Sequence, residues 1–237
     1  MSKAVAILPS NQSRNVSPII PAYNEGGGMH YLAPLVAERC RAKGLNAQWF
    51  NAKMEHEPGQ TYAHQWIAEQ IARANVWLRS QGGGVMVHLH TDSGTFSHTF
   101  GIWTTKFPES ERLADTLGRR VHQALATEQY RAFHKLGTVD YSTYIFSTRA
   151  EHTPCLIELC AHTVARDINV LFAQPHVAAE ALADGLAHYL GIDLTDYRAL
   201  YEAERARCLD LEQRYAEQQA LQASVRAVLQ LQAGRLG

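Results

Sequence analysis

The sequence predicts an α/β domain whose mostly parallel, mixed sheet is flanked by helices on both faces, with a long helix at the C-terminus. Three observations predict this fold class. Short apolar runs that suit buried strands alternate with segments in which apolar residues recur every three or four positions. That alternation favours a parallel sheet covered on both faces. Residues 195–233 contain no Gly or Pro and are rich in Ala, Glu, Gln, Arg and Leu, which favours one long helix.

The individual elements follow from these patterns in chain order. Apolar or extended runs predict strands at residues 4–8, 47–50, 85–90, 96–103, 144–146 and 153–160. Helical periodicity predicts helices at residues 28–43, 66–78, 113–125 and 177–190. Gly44 ends the first of these helices, and the glycines from Gly82 to Gly84 end the second. The Pro-, Ser- and Asn-rich residues 9–24 are predicted to form a loop.

The composition changes after residue 192, which predicts a domain at residues 1–192 and a helical extension at residues 193–237. Apolar residues recur along the extension mostly at three- and four-residue steps, but Glu204, Gln218 and Gln222 interrupt the series. Two interpretations stay open. The helix folds back on its own domain, or it forms a coiled coil that joins copies of the chain into a homo-oligomer.

Charge and composition disfavour several classes of partner and site. The formal net charge is −1, so no strong field recruits nucleic acid or an acidic membrane surface. No segment reaches the ~18 apolar residues of a membrane helix. The first residues lack the pattern of a secretory signal peptide, so we expect synthesis in the cytoplasm. The four cysteines include no CxxC pair, which disfavours a thiolate zinc site. The length of the chain disfavours a disulfide framework.

Two histidines in the predicted strand V85-M-V-H-L-H90 indicate a site at its end. His88 and His90 are two residues apart, so they share one face of the strand. His90 lies at the carboxyl end, where open α/β sheets bind ligands. A buried imidazole needs a partner, and either a metal ion or an ordinary hydrogen bond would serve.

Two carboxylates strengthen the metal interpretation. Glu25 follows the long loop and precedes a helix, where an acid is either a ligand or a residue favoured by the helix dipole. Glu158 interrupts the apolar run T153-P-C-L-I-E-L-C160. Carboxylates are almost never fully buried without a partner, so we expect Glu158 to face a metal or a cation. An ion pair with Arg149 or Arg166 is the structural alternative.

In this order, the three segments resemble the zinc-dependent N-acetylmuramoyl-L-alanine amidases of the Amidase_3 type, which include phage endolysins and bacterial cell-wall amidases. The matching stretches are V87-H-L-H-T-D92, N24-E25 with the helix after it, and T153–H162 with the helix at residues 165–171. The resemblance implies an amidase-like catalytic domain at residues 1–192 and Zn²⁺ as cofactor. It implies hydrolysis of the amide between the lactyl group of N-acetylmuramic acid and L-alanine in peptidoglycan. The cell wall would then be reached by a route other than a signal peptide.

The resemblance also implies roles for individual residues. Glu25 and His90 match zinc ligands, Glu158 matches the catalytic acid and base, and His88 would orient the site from behind His90. Where the family has a glycine-histidine-glycine turn, this chain has L8-P-S-N-Q-S-R-N15, and Asn11 takes the place of the ligand histidine.

Three explanations of Asn11 stay open. Asn11 binds the metal directly or through water, or a histidine such as His30, His98 or His162 replaces it as a ligand. In the third explanation metal binding is impaired, and the chain is a non-catalytic cell-wall-binding or assembly protein of the same fold, multimerised by its C-terminal helix.

Overall fold

The apolar runs of the sequence form the central strands of one mixed sheet. The structure, a computed structural model, describes residues 3–54, 63–134 and 148–194. Its strands are β1 (Ala4–Pro9), β2 (Asn46–Trp49), β3 (Val85–Asp92), β4 (His98–Trp103), β5 (Gln129–His134) and β6 (Thr153–Ala161). Its helices are α1 (Glu25–Ala42), α2 (Ala63–Ser80), α3 (Ser110–Leu125), α4 (Ala165–Ala173) and α5 (Pro175–Tyr189). β1, β3 and β6 are buried along almost their whole length.

The connections between the strands reverse direction at β1 and β3. The strands lie in the order β2-β1-β3-β6-β4-β5, and the pairing is parallel except between β4 and β6. From β1 the chain crosses through α1 to β2, and then through α2 to β3 on the other side of β1. Neighbouring strands whose connections leave in opposite directions form the crevice in which open α/β sheets bind ligands.

The same reversal places helices on both faces of the sheet, because right-handed crossovers in opposite directions lie on opposite faces. On one face α5 packs between α1 and α3. On the other face α2 covers the sheet, where Ile67, Ile71 and Leu78 join Leu8 and Met86 in one apolar cluster. The predicted fold class, a mostly parallel mixed sheet with helices on both faces, is confirmed. The predicted C-terminal helix lies outside the described residues.

Three elements show where sequence patterns are weak. α1 begins at Glu25 rather than at residue 28, because the Asn24 side chain accepts a hydrogen bond from Gly27 N at 2.7 Å and caps the helix. The patterns miss β5, an edge strand that is half-buried or exposed and has no apolar run. They also miss the nine-residue α4, which the resemblance alone indicates. The predicted strand at residues 144–146 lies outside the described residues.

The chain divides into two compact units, Met1–Ile192 and Asp193–Gly237. That the second unit is a helical extension or a coiled coil stays a prediction, because residues 195–237 lie outside the described part of the chain. None of the described helices is both long enough and apolar enough to span a bilayer.

Candidate metal and catalytic site

The loop after β1 is held against the carboxyl end of β3. Ser10 N donates to Leu89 O at 2.9 Å, which continues the β1–β3 pairing by one residue. Asn11 follows and is completely buried. A Cβ at Gly26 would lie 3.0 Å from the Asn11 carbonyl carbon, so the loop and the first turn of α1 approach as closely as glycine allows. The turn that carries Asn11 is therefore buried between the carboxyl end of β3 and the first turn of α1.

Glu25 is the first residue of α1 and points its carboxylate inward. It is 1% exposed, and its two oxygens have different neighbours. Asn15 Nδ2 donates to Oε2 at 2.7 Å, and His90 Nδ1 lies 2.9 Å from Oε1. The two predicted zinc ligands are thus in direct contact, although 65 residues separate them (90 − 25).

Glu158 lies beside His90 on the neighbouring strand. The parallel register pairs His90 with Glu158, and the antiparallel register pairs Glu158 with Phe100 on β4. Paired residues of neighbouring strands share a face and stand ~4.8 Å apart. Just beyond this pair β6 gains one residue relative to β3, since Asp92 pairs with Ala161. Such bulges are frequent next to active sites, where they redirect the side chains that follow.

His88 occupies the same face, one pleat deeper. Its register partners are Leu8 and Leu156, which belong to the apolar cluster under α2. Burial, with a smaller contribution from the neighbouring His90, lowers the pKa of His88 to about 3. His88 is therefore neutral at neutral pH and adds no positive charge behind His90.

Two of the histidines considered as replacements for Asn11 form hydrogen-bond contacts with other residues. His98 Nδ1 lies 2.7 Å from Phe96 O, and its Nε2 lies 3.0 Å from Asp92 Oδ2, so both ring nitrogens serve the loop between β3 and β4. His162 Nδ1 lies 3.1 Å from Thr91 Oγ1. Thr91 is the residue after His90, so it points to the opposite face of β3.

The ion pairs proposed as the alternative for Glu158 can also be compared with the structure. Arg166 pairs with Glu128 at 3.0 Å and also donates to Ala126 O. Arg149 is exposed, whereas Glu158 is only 8% exposed. The surroundings of Arg166 and Arg149 therefore disfavour an ion pair of either residue with Glu158.

The Glu25–His90 pair fits two positions of a zinc site. Tetrahedral ligands at ~2.0–2.1 Å from zinc lie about 3.3 Å apart. Glu25 Oε1 and His90 Nδ1 are 2.9 Å apart, so the two atoms would have to separate slightly to hold the ion. In the described part of the chain, no three His, Cys, Asp or Glu side chains form a group that could hold a metal ion. His30, His98 and His162 therefore do not complete such a group with Glu25 and His90. Zinc ligation by this pair and by Asn11 stays a prediction.

Two residues of the site were not anticipated from the sequence. Asn15 contacts Glu25 directly, and Gln12 accepts a hydrogen bond from Asn15 Nδ2. Both lie in the polar loop, in which Asn and Gln are ordinary turn residues. The one signal in the sequence is that they follow, by one and four residues, the position at which the resemblance implies a ligand.

Comparison with known proteins gives structural relatives only. No protein-family model matches the sequence, and no curated protein matches it. The N-acetylmuramoyl-L-alanine amidase AmiC2 of Nostoc punctiforme superposes with a TM-score of 0.59 at 17% identity, over 79% of this chain and 97% of its own. An N-acetylmuramoyl-L-alanine amidase from Clostridium difficile 630 gives 0.60 at 15% identity, over 79% and 96%. The catalytic domain of the CD27L endolysin, which targets Clostridia difficile, gives 0.58 at 16% identity, over 78% and 97%. At these identities the likeness shows a shared fold.

Proposed function

We propose that this protein is a zinc-dependent N-acetylmuramoyl-L-alanine amidase that hydrolyses the amide between the lactyl group of N-acetylmuramic acid and L-alanine in peptidoglycan. The observation that carries the proposal is the contact of Glu25 with His90 and the register pairing of His90 with Glu158, with all three residues buried at the carboxyl edge of the sheet. The fold shared with solved N-acetylmuramoyl-L-alanine amidases supports it. Peptidoglycan is accordingly the proposed partner.

Glu25 and His90 are the proposed zinc ligands. A carboxylate and a neutral imidazole are typical zinc donors, and both side chains are almost completely buried. Asn11 completes the proposed set through its amide oxygen or through a water molecule. When bound, zinc would act as a Lewis acid that polarises the carbonyl of the substrate amide and lowers the pKa of the attacking water.

Glu158 is the proposed general acid and base. Its carboxylate, next to His90 on the same face of the sheet, takes a proton from the attacking water. It then delivers that proton to the departing nitrogen of L-alanine, so one group serves both steps. Positioned proton transfer of this kind contributes ~10²–10⁴-fold to the rate. His88, neutral and packed behind His90, is proposed to hold the imidazole in place.

Digestion of purified peptidoglycan tests the proposal. With zinc present, the wild-type protein should release stem peptides with free L-alanine amino termini and leave glycan strands without peptides. Amino-terminal labelling and mass spectrometry of both fractions measure this. The control is Glu158→Gln, which keeps the size of the side chain and removes its basicity. A wild-type protein that binds zinc but releases no such termini would show that the substrate is wrong.

A non-catalytic cell-wall-binding or assembly protein is the second candidate. It is favoured by Asn11 at the position of a ligand histidine and by the lack of a three-residue His, Cys, Asp or Glu group among the described residues. The zinc content per chain, measured after dialysis against a buffer that contains zinc, distinguishes the two candidates. An amidase should hold about one zinc per chain, whereas the binding protein should sediment with peptidoglycan and hold none.

A further inference from the structure

Asn15 contacts Glu25 at both its backbone and its carboxylate. Asn15 O accepts a hydrogen bond from Glu25 N at 2.8 Å, and Asn15 Nδ2 donates to Glu25 Oε2 at 2.7 Å. The first contact satisfies one of the amides at the start of α1 that has no partner within the helix. The second restricts how the Glu25 side chain turns. One loop residue therefore accepts from the first amide of α1 and also restrains the direction of the Glu25 carboxylate.

Gln12 also contacts the first turn of α1 through its backbone, and its side chain contacts Asn15. Gln12 O accepts from Gly26 N at 3.0 Å, and Gln12 Oε1 accepts from Asn15 Nδ2. The amide nitrogen of Asn15 has two hydrogens, and each has its own acceptor. A flipped amide would turn its oxygen toward two other acceptors, so the network determines its orientation. The backbone and side-chain contacts together bind the loop to the first turn of α1.

We infer that Asn15 is a positioning residue, which holds Glu25 so that Oε1 faces His90 and the proposed zinc site, and that Gln12 orients Asn15. This inference rests on the proposed function. Because Asn15 occupies Oε2, the other oxygen is the one that lies 2.9 Å from His90 Nδ1. The loop that carries Asn11 in place of the ligand histidine thus also orients the neighbouring ligand.

An amide suits this task because it orients a carboxylate without neutralising it. A Lys or Arg in the same place would pair with Glu25 and reduce its attraction for a metal cation. Groups that orient a metal ligand typically contribute about 10–100-fold in metal affinity. The position of Asn15 predicts an effect of that size, although Asn15 itself touches neither the metal nor the substrate.

Zinc affinity, measured by competition with a chromophoric chelator, tests the inference. Asn15→Ala should weaken zinc binding by about 10–100-fold, since it cannot donate to Glu25. The matched control is Asn24→Ala, which removes the side-chain cap of the same helix but leaves the Glu25 carboxylate contacts intact. That control should lower Tm and keep the wild-type zinc affinity. Wild-type affinity in Asn15→Ala, or equal losses in Asn15→Ala and Asn24→Ala, would overturn the inference.

NMR of the metal-free protein separates this inference from the proposed function. The side-chain amide protons of Asn15 should exchange slowly with solvent, and Glu25→Ala should shift their resonances and speed their exchange. Unchanged resonances would overturn the positioning role whatever the zinc result. If the wild-type protein binds no zinc, the proposed function fails, and the effect of Glu25→Ala on the Asn15 resonances alone decides whether Asn15 positions Glu25.

Discussion

Helix α1 carries a buried charged residue at each end, and the two ends are built differently. Lys43, directly after the last turn, is 4% exposed, and its ammonium group pairs with Glu180 and, at 2.9 Å, with Asp184 of α5. Glu25, the first residue, is 1% exposed and meets the amide of Asn15 and the imidazole of His90. Within the described part of the chain, no Lys or Arg forms an ion pair with Glu25.

The difference predicts that the Lys43 end of α1 contributes to stability and that the Glu25 end contributes to the proposed function. The helix dipole favours both residues, an anion at the N-terminus and a cation at the C-terminus. Burial, the largest single influence, would lower the pKa of Lys43, but the hydrogen bonds and negative charges of Glu180 and Asp184 together raise it. The charge of Lys43 is therefore met in full by opposite charges. The Glu25 carboxylate instead accepts a hydrogen bond from the uncharged amide of Asn15, which is the arrangement expected where a cation binds.

The largest expected effect is on catalysis at the proposed site, which includes the N-terminal end of α1. Glu158→Gln should lower the rate at which stem peptides with free L-alanine amino termini are released by ~10²–10⁴-fold, because the glutamine side chain cannot accept the proton from water. Zinc content and Tm should stay close to the wild-type values. Muropeptide release at the wild-type rate would remove Glu158 from catalysis.

The next effect distinguishes the two histidines of β3. His90→Ala should lose zinc, because it removes a proposed ligand. His88→Ala should weaken zinc binding by only about 10–100-fold, as expected of a residue behind the ligand. Metal analysis and chelator competition on both purified variants measure this. If His88→Ala is the metal-free variant, the assignment of the ligand along the strand is wrong.

A change at the C-terminal end of α1 should lower stability and leave zinc affinity unchanged. Removing one partner of a fully buried ion pair costs about 3–5 kcal/mol. Since the side chains of Glu180 and Asp184 are 25% and 34% exposed, we expect Lys43→Met to lower the free energy of unfolding by less, about 1–3 kcal/mol. Zinc affinity should not change.

Arg39→Met is the matched control for that prediction. Arg39 lies 3.7 Å from Glu180 and is 37% exposed, so its loss should cost at most about 1 kcal/mol. Denaturant unfolding of the metal-free proteins measures both variants. A fall in zinc affinity in Lys43→Met would show that the two ends of the helix are not independent.

The smallest effect concerns Asn11. If its amide binds zinc, Asn11→His should tighten binding by about tenfold or less, because an imidazole is the better zinc donor. Asn11→Ala should weaken binding or leave a water molecule in that place. Equal chelator-competition constants for the three proteins would remove Asn11 from the ligand set.

Local patterns determined the parts of this protein that depend on neighbouring residues in the chain. The apolar runs predicted β1, β3 and β6, because a strand buried on both faces must be apolar along its length. The two-residue period of a strand put His88 and His90 on one face. Glu158 was recognisable because an isolated carboxylate is costly to bury in an apolar strand.

Tertiary structure decided what depends on residues far apart in the chain. The contact of Glu25 with His90, and the register of His90 with Glu158, join segments separated by 65 and 68 residues (90 − 25 and 158 − 90). Sequence spacing suggested these partners only through the resemblance to a family. The contact of Asn15 with Glu25 had no signal of its own, because Asn is common in any turn. Strand pairing and loop packing bring such groups together, and neither can be calculated from the local preferences of single residues.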